Sequence, residues 1–113
     1  MVRIYHNPRC RKSREGLEAL KKHLTDIEVV DYFKNPLTAN DLLRISAKLE
    51  LPLALMVRPQ EAYYKQNLKG KTLSTEEWIE AIITHPQLLQ RPIVETADKA
   101  TIAIPPENIL SIL

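Results

Sequence analysis

The sequence predicts an α/β domain built around a four-stranded mixed sheet. Three observations predict it. At the N-terminal end a strand, an amphipathic helix and a second strand follow one another within the first 32 residues. At the C-terminal end two β-branched runs flank a polar turn and lead into a Pro-Pro helix start. Between them, over about residues 38–90, apolar side chains recur at helical spacing.

Val2-Arg3-Ile4-Tyr5 is β-branched and aromatic and stops at His6-Asn7-Pro8, where proline cannot continue a central strand. After Cys10, Leu17, Leu20 and Leu24 alternate with Arg11, Lys12, Arg14, Glu15, Lys21 and Lys22, the pattern of an amphipathic helix reaching about His23. Gly16 weakens that helix only modestly. Ile27 to Tyr32 reads as a second strand, and the β-α-β unit so formed requires parallel strands with a right-handed crossover. Thr38-Ala39-Asn40-Asp41 has capping-box form and precedes Leu42, Leu43, Ile45 and Leu49; Ser74-Thr75-Glu76-Glu77 opens a second such helix through Trp78, Ile79, Ile82 and Ile83, which stops before Pro86. Residues 50–73 are expected as short helical pieces and loops, with Trp78 in the core and Tyr63 and Tyr64 packing this middle region against the sheet. Pro92 to Glu95 and Thr101 to Ile104 flank Thr96-Ala97-Asp98-Lys99 as a hairpin would, and a closing helix from Pro105-Pro106 buries Ile109, Leu110 and Leu113. The order β-α-β, helical insertion, β-β-α is that of a thioredoxin-like domain, and one such domain is expected to fill residues 1–113.

Composition narrows the function. With 44% hydrophobic and 27% charged residues the chain has the make-up of an ordinary globular protein, and a net charge of +2 lacks the basic excess of a nucleic-acid or membrane binder. The single cysteine excludes an internal disulfide and suits a reducing compartment. Met1-Val2-Arg3-Ile4-Tyr5 meets charge at once, and no run approaches the ~18 apolar residues of a membrane span, so the expected location is cytoplasmic.

Cys10 is the candidate catalytic residue. It falls at the N-cap or first position of the first helix, where unpaired N–H groups and the helix dipole favour an anion. Arg9, Arg11, Lys12 and Arg14 crowd the same segment, and His6 lies four residues ahead across a proline turn. A free thiol titrates near ~8.5; in such surroundings ~3.5 to 7.5 is typical. Most free cysteines are small buried hydrophobes, but one set in a run of charge is a poor core residue. Ser13, one helical turn on, could donate its hydroxyl to the thiolate or simply be solvated, and His6 could lower the thiol pKa or be merely exposed. With histidines only at 6, 23 and 85 and no paired spacing, no metal site is expected.

Ile4-Tyr5-His6-Asn7-Pro8-Arg9-Cys10, the Cys-x-x-Ser-Arg pattern ending at Arg14, and Arg91-Pro92-Ile93-Val94 resemble the glutaredoxin-linked arsenate reductases, over essentially the whole chain. The resemblance implies that the Cys10 thiolate attacks arsenate, that glutathione, a co-substrate rather than a bound cofactor, then displaces arsenite, and that a glutaredoxin reduces the resulting mixed disulfide. No second protein cysteine is needed, in keeping with a lone thiol that borrows its resolving partner. By position Arg58 and Arg91 match arginines that hold the oxyanion, with Arg11 as a further candidate; His6, Ser13 and Arg14 are thiolate-stabilising candidates; Asn7 and Pro92 shape the site, and Pro92 is expected to be cis. Ile104 stands where arsenate-reducing members carry a third arginine, so a glutathione-dependent thiol reductase of another substrate is the alternative. Redox-responsive regulators that bind RNA polymerase share the fold and the N-terminal loop, but they typically sense through Cys-x-x-Cys, and Ser13 occupies the second position here.

Overall fold

The structure is a computed structural model describing residues 1–113. Strand β1 (Val2–His6) lies parallel to β2 (Ile27–Asp31), with Val2 opposite Ile27 and His6 opposite Asp31, and α1 (Arg11–Lys21) makes the crossover. Strand β3 (Ile93–Glu95) runs antiparallel on the other side of β1 and pairs with β4 (Ala100–Ile102), giving the order β2-β1-β3-β4. This mixed sheet is the thioredoxin-like arrangement that the element order predicts. Both hairpin strands are shorter than the β-branched runs that suggested them. Thr96 and Lys99 close the turn between them, the Thr96 N–H donating to the Lys99 carbonyl at 2.8 Å.

The chain forms two compact units: Met1–Asn35 with Arg91–Leu113, and Pro36–Gln90. In the first, Ile4, Leu20, Val94, Ala103 and Ile109 make the core, with Leu17, Leu24 and Ile112 packed against it. Leu17 and Leu20 therefore bury the face of α1 that their spacing implies, and Leu24, three residues past the helix end, packs against the same core. Each fully buried aliphatic side chain contributes roughly 1.5–3 kcal/mol by leaving water. Strand β3 is buried at every position, including Glu95, 3% exposed, whose carboxylate accepts from the Tyr5 hydroxyl at 2.6 Å. The segment from Pro105 winds as a 3-10 helix, Pro106–Ser111, rather than an α-helix; six residues opened by two prolines are too few to establish the α ladder, and Ile109 alone of them is buried.

In the second unit, α2 (Ala39–Leu49) and α3 (Thr75–Thr84) both start on complete capping boxes. Thr38 Oγ1 accepts from the Asp41 N–H at 3.1 Å while Asp41 accepts from the Thr38 N–H at 2.9 Å; Ser74 and Glu77 repeat the exchange at 3.2 and 2.8 Å. Between them lie a 3-10 turn, Leu53–Leu55, and a π-helical turn, Tyr64–Leu68. Trp78 is buried as expected, and the Tyr63 ring stacks on His85 with centroids 3.7 Å apart. No helix is long and apolar enough to cross a membrane.

Candidate active site

The loop between β1 and α1 is held by its own polar groups. Asn7 Oδ1 accepts from the Arg9 N–H at 3.1 Å, and the Asn7 carbonyl accepts from the Cys10 N–H at 3.0 Å, closing a turn around Pro8. Cys10 is the N-cap of α1, in extended backbone at φ −96° and ψ 123°, and its carbonyl accepts the first helical bond, from Arg14 at 3.0 Å. Its side chain makes no capping hydrogen bond, so the sulfur sits beside the open N-terminus of the helix without closing it.

Opposing influences set the state of that sulfur. Burial pushes the Cys10 thiol up, but the Ser13 N–H, the Arg91 guanidinium and the Lys12 N–H together outweigh burial and hold it below the ordinary thiol range. Two of these groups are amides of the first helical turn. The third reaches the sulfur from Arg91, two residues before β3, where the Arg91–Pro92 bond is cis.

The candidate residues divide clearly. Ser13 is fully buried, but its hydroxyl turns from the sulfur to the strand end, accepting from the Asn7 N–H at 2.9 Å and pairing with His6 Nδ1 at 2.8 Å. The expectation of a Ser13 hydroxyl donated to the thiolate is thus corrected: the main-chain N–H of Ser13 faces the sulfur, and its side chain fastens the loop. His6 is also buried. Burial pushes its pKa below the ordinary value, against the pull of Asp31, which disfavours an imidazolium beside the thiolate. Arg14 donates from Nη1 to the Pro8 carbonyl at 2.9 Å and braces the loop from the helix. Arg11 instead reaches along the helix surface to Glu15 at 2.8 Å, with 85% of its side chain exposed; its place four residues before a carboxylate turns it along the helix. Arg58 belongs to the second unit, where Nη1 meets Glu61 at 2.6 Å and its N–H donates to the Leu88 carbonyl at 2.7 Å. His6, Asn7, Cys10, Ser13, Arg14, Arg91 and Pro92 are thus gathered in the first unit.

The profile of the ArsC family matches residues 5–112. The chain belongs to the ArsC family. It is 40% identical over 114 residues to an arsenate reductase of Haemophilus influenzae, covering 99% of this chain and 98% of that one. It is 43% identical over 115 residues to a protein of Escherichia coli (strain K12) named only as the uncharacterized protein YfgD, covering 99% of this chain and 96% of that one. Among solved structures, an arsenate reductase from Vibrio cholerae superposes with a TM-score of 0.93 at 38% identity, covering 99% of this chain and 97% of the other. The resemblance read from the Asn-Pro-Arg-Cys loop and the Arg-Pro-Ile-Val strand therefore stands.

One residue of this ArsC site escapes a reading of the sequence. A methyl group at Gly16 would run into the Pro92 ring. The glycine is what lets α1 approach the cis-proline loop, and so it bears on where Arg91 sits. The signal available in sequence was a glycine on the helix that carries the thiol, and helix propensity alone gives it no purpose.

Proposed function

We propose that this chain reduces arsenate to arsenite through Cys10, with glutathione as reducing co-substrate and a glutaredoxin restoring the thiol, in the reducing cytoplasm. The observation that carries the reading is the placement of the single cysteine at the open N-terminal end of α1 beside the Arg91 guanidinium, surroundings that favour its thiolate. A thiolate is the nucleophile the chemistry needs, and a guanidinium fork is well matched to a tetrahedral oxyanion. The Cys10 sulfur attacks arsenic and expels water, giving a thiol–arsenate ester. Glutathione sulfur then attacks Cys10 sulfur, the sulfur–arsenic bond breaks, and its electron pair stays with arsenic as arsenite. In net terms, two thiols and arsenic acid give one mixed disulfide, arsenous acid and one water. Arg91 is the residue assigned to hold the oxyanion.

The test is arsenate-dependent consumption of NADPH with glutathione, glutathione reductase and a glutaredoxin, abolished by Cys10→Ser. Absence of turnover by the unmodified protein refutes the reading. A glutathione-dependent thiol reductase of another substrate is favoured by one observation: Ile104, 37% exposed, provides no charge where the family's arsenate-reducing members carry an arginine. Restoring one charge-assisted contact of about 1.5–3 kcal/mol makes Ile104→Arg raise apparent arsenate affinity at least tenfold. No gain would mean that position 104 does not serve the oxyanion.

A further inference from the structure

A cleft of about 320 Å³ opens beside the active-site loop, lined by Asn7, Pro8, Arg9, Asp31, Phe33 and Lys34. One wall is the loop that runs directly into Cys10, and the Cys10 N–H is bonded to Asn7 in that same wall at 3.0 Å. The other wall is the turn that follows β2. We infer that this cleft seats the reducing co-substrate, a γ-glutamyl tripeptide thiol, with Arg9 and Lys34 meeting its two carboxylates and Asp31 its ammonium. The inference deepens the arsenate-reductase reading and rests on it for the identity of the thiol.

The charges of the cleft are unspent. Arg11 is paired with Glu15 and Arg14 with the Pro8 carbonyl, whereas the side chains of Arg9 and Lys34 form no ion pair or hydrogen bond. Asp31 uses Oδ1 to accept from the amides of Phe33 and Lys34 at 3.1 and 3.3 Å, which fixes the carboxylate and leaves Oδ2 for a donor from outside. Two cations and one carboxylate are the complement of a peptide with two carboxylates and one ammonium. Phe33, 41% exposed, lines the same cleft with its ring centroid 5.0 Å from that of Tyr32, an apolar wall for the methylene chain of a γ-linked glutamate. The volume is at the small end of ligand clefts, suited to a tripeptide and too large for a single oxyanion.

The test isolates the co-substrate from arsenate. In the exchange reaction the Cys10 thiolate attacks one sulfur of glutathione disulfide, forms the mixed disulfide and releases one glutathione thiolate. The rate with glutathione disulfide is compared with that for bis(2-hydroxyethyl) disulfide, which has neither carboxylates nor ammonium; taking the ratio cancels any change in the reactivity of Cys10 itself. In the unmodified protein the ratio favours glutathione disulfide. Lys34→Glu lowers it about tenfold, while Lys22→Glu, an exposed cation on α1's far end, changes it less than twofold. A ratio unmoved by Lys34→Glu overturns the cleft assignment even if arsenate is turned over. A Lys34-dependent ratio in a protein that fails to reduce arsenate supports the cleft and overturns only the choice of arsenate.

Discussion

Arg91 brings a side-chain charge to Cys10 from a distant part of the chain, and removing it gives a sharp expectation. In Arg91→Leu the thiolate loses a charge-assisted hydrogen bond, a contact worth about 1.5–3 kcal/mol. Because Cys10 is only partly buried, solvent screens the interaction and the lower end applies. At 1.36 kcal/mol per unit, the thiol pKa rises by about one unit. Below both pKa values the thiolate fraction then falls about tenfold, but a more basic thiolate is also a better nucleophile, by a factor of roughly three for a Brønsted slope near 0.45. The net slowing of alkylation by iodoacetamide is about threefold. The assay follows thiolate absorbance in the ultraviolet and alkylation rate across pH 5 to 10 for Arg91→Leu, Arg91→Lys and the unmodified protein. Arg91→Lys, which keeps a charge and loses the fork, falls between the other two. An apparent pKa in Arg91→Leu within ~0.3 units of the unmodified value would refute the electrostatic argument for this site.

Further outcomes follow from the same geometry. Ser13→Ala leaves the Asn7 N–H without its acceptor and costs about 1–3 kcal/mol in urea unfolding, yet shifts the Cys10 pKa by less than half a unit, since the residue-13 N–H remains; a large pKa shift would mean the hydroxyl serves the sulfur after all. Gly16→Ala gains roughly 1 kcal/mol of helix propensity but drives a methyl into the Pro92 ring, at about 1–3 kcal/mol, so stability falls or stays level and the Arg91-dependent part of the thiol shift shrinks; a stabilised protein with an unchanged thiol would show that the loop yields freely. Stability also depends on pH through Cys10. Its folded pKa is depressed, so between that value and the unfolded value of about 8.5 the unfolded chain holds more protons, and stability rises with pH, to be lost again as pH falls through the folded pKa. Cys10→Ser flattens that rise in chemical denaturation between pH 6 and 9, and an unchanged slope would contradict the lowered pKa.

What could be read from the residues was mostly what lies close along the chain. The two capping boxes, the leucine stripe of α1 and the position of Cys10 at a helix start are all decided within four or five residues, and each is found where its spacing puts it. Contacts that fold the chain back were legible only through family resemblance, as with Arg91, or not at all, as with Gly16, whose reason is a proline ring supplied by the opposite end of the sequence. Ser13 shows a different limit. Its spacing from Cys10 correctly implied a shared helical face, but hydroxyl direction was decided by a competing acceptor need at Asn7, which spacing does not encode. Arg11 likewise belonged to a basic cluster on paper, and Glu15 took it along the helix surface.

The N-cap position of α1 sets reactivity against fold stability at a single atom. A serine there would ordinarily accept from the first-turn amides and steady the helix by about 1 kcal/mol, where the neutral sulfur accepts only weakly. In acid, therefore, chemical denaturation is expected to find the Cys10→Ser protein the sturdier of the two, with the advantage passing to the native chain once the sulfur carries its charge. The helix begins imperfectly so that something else can use its beginning.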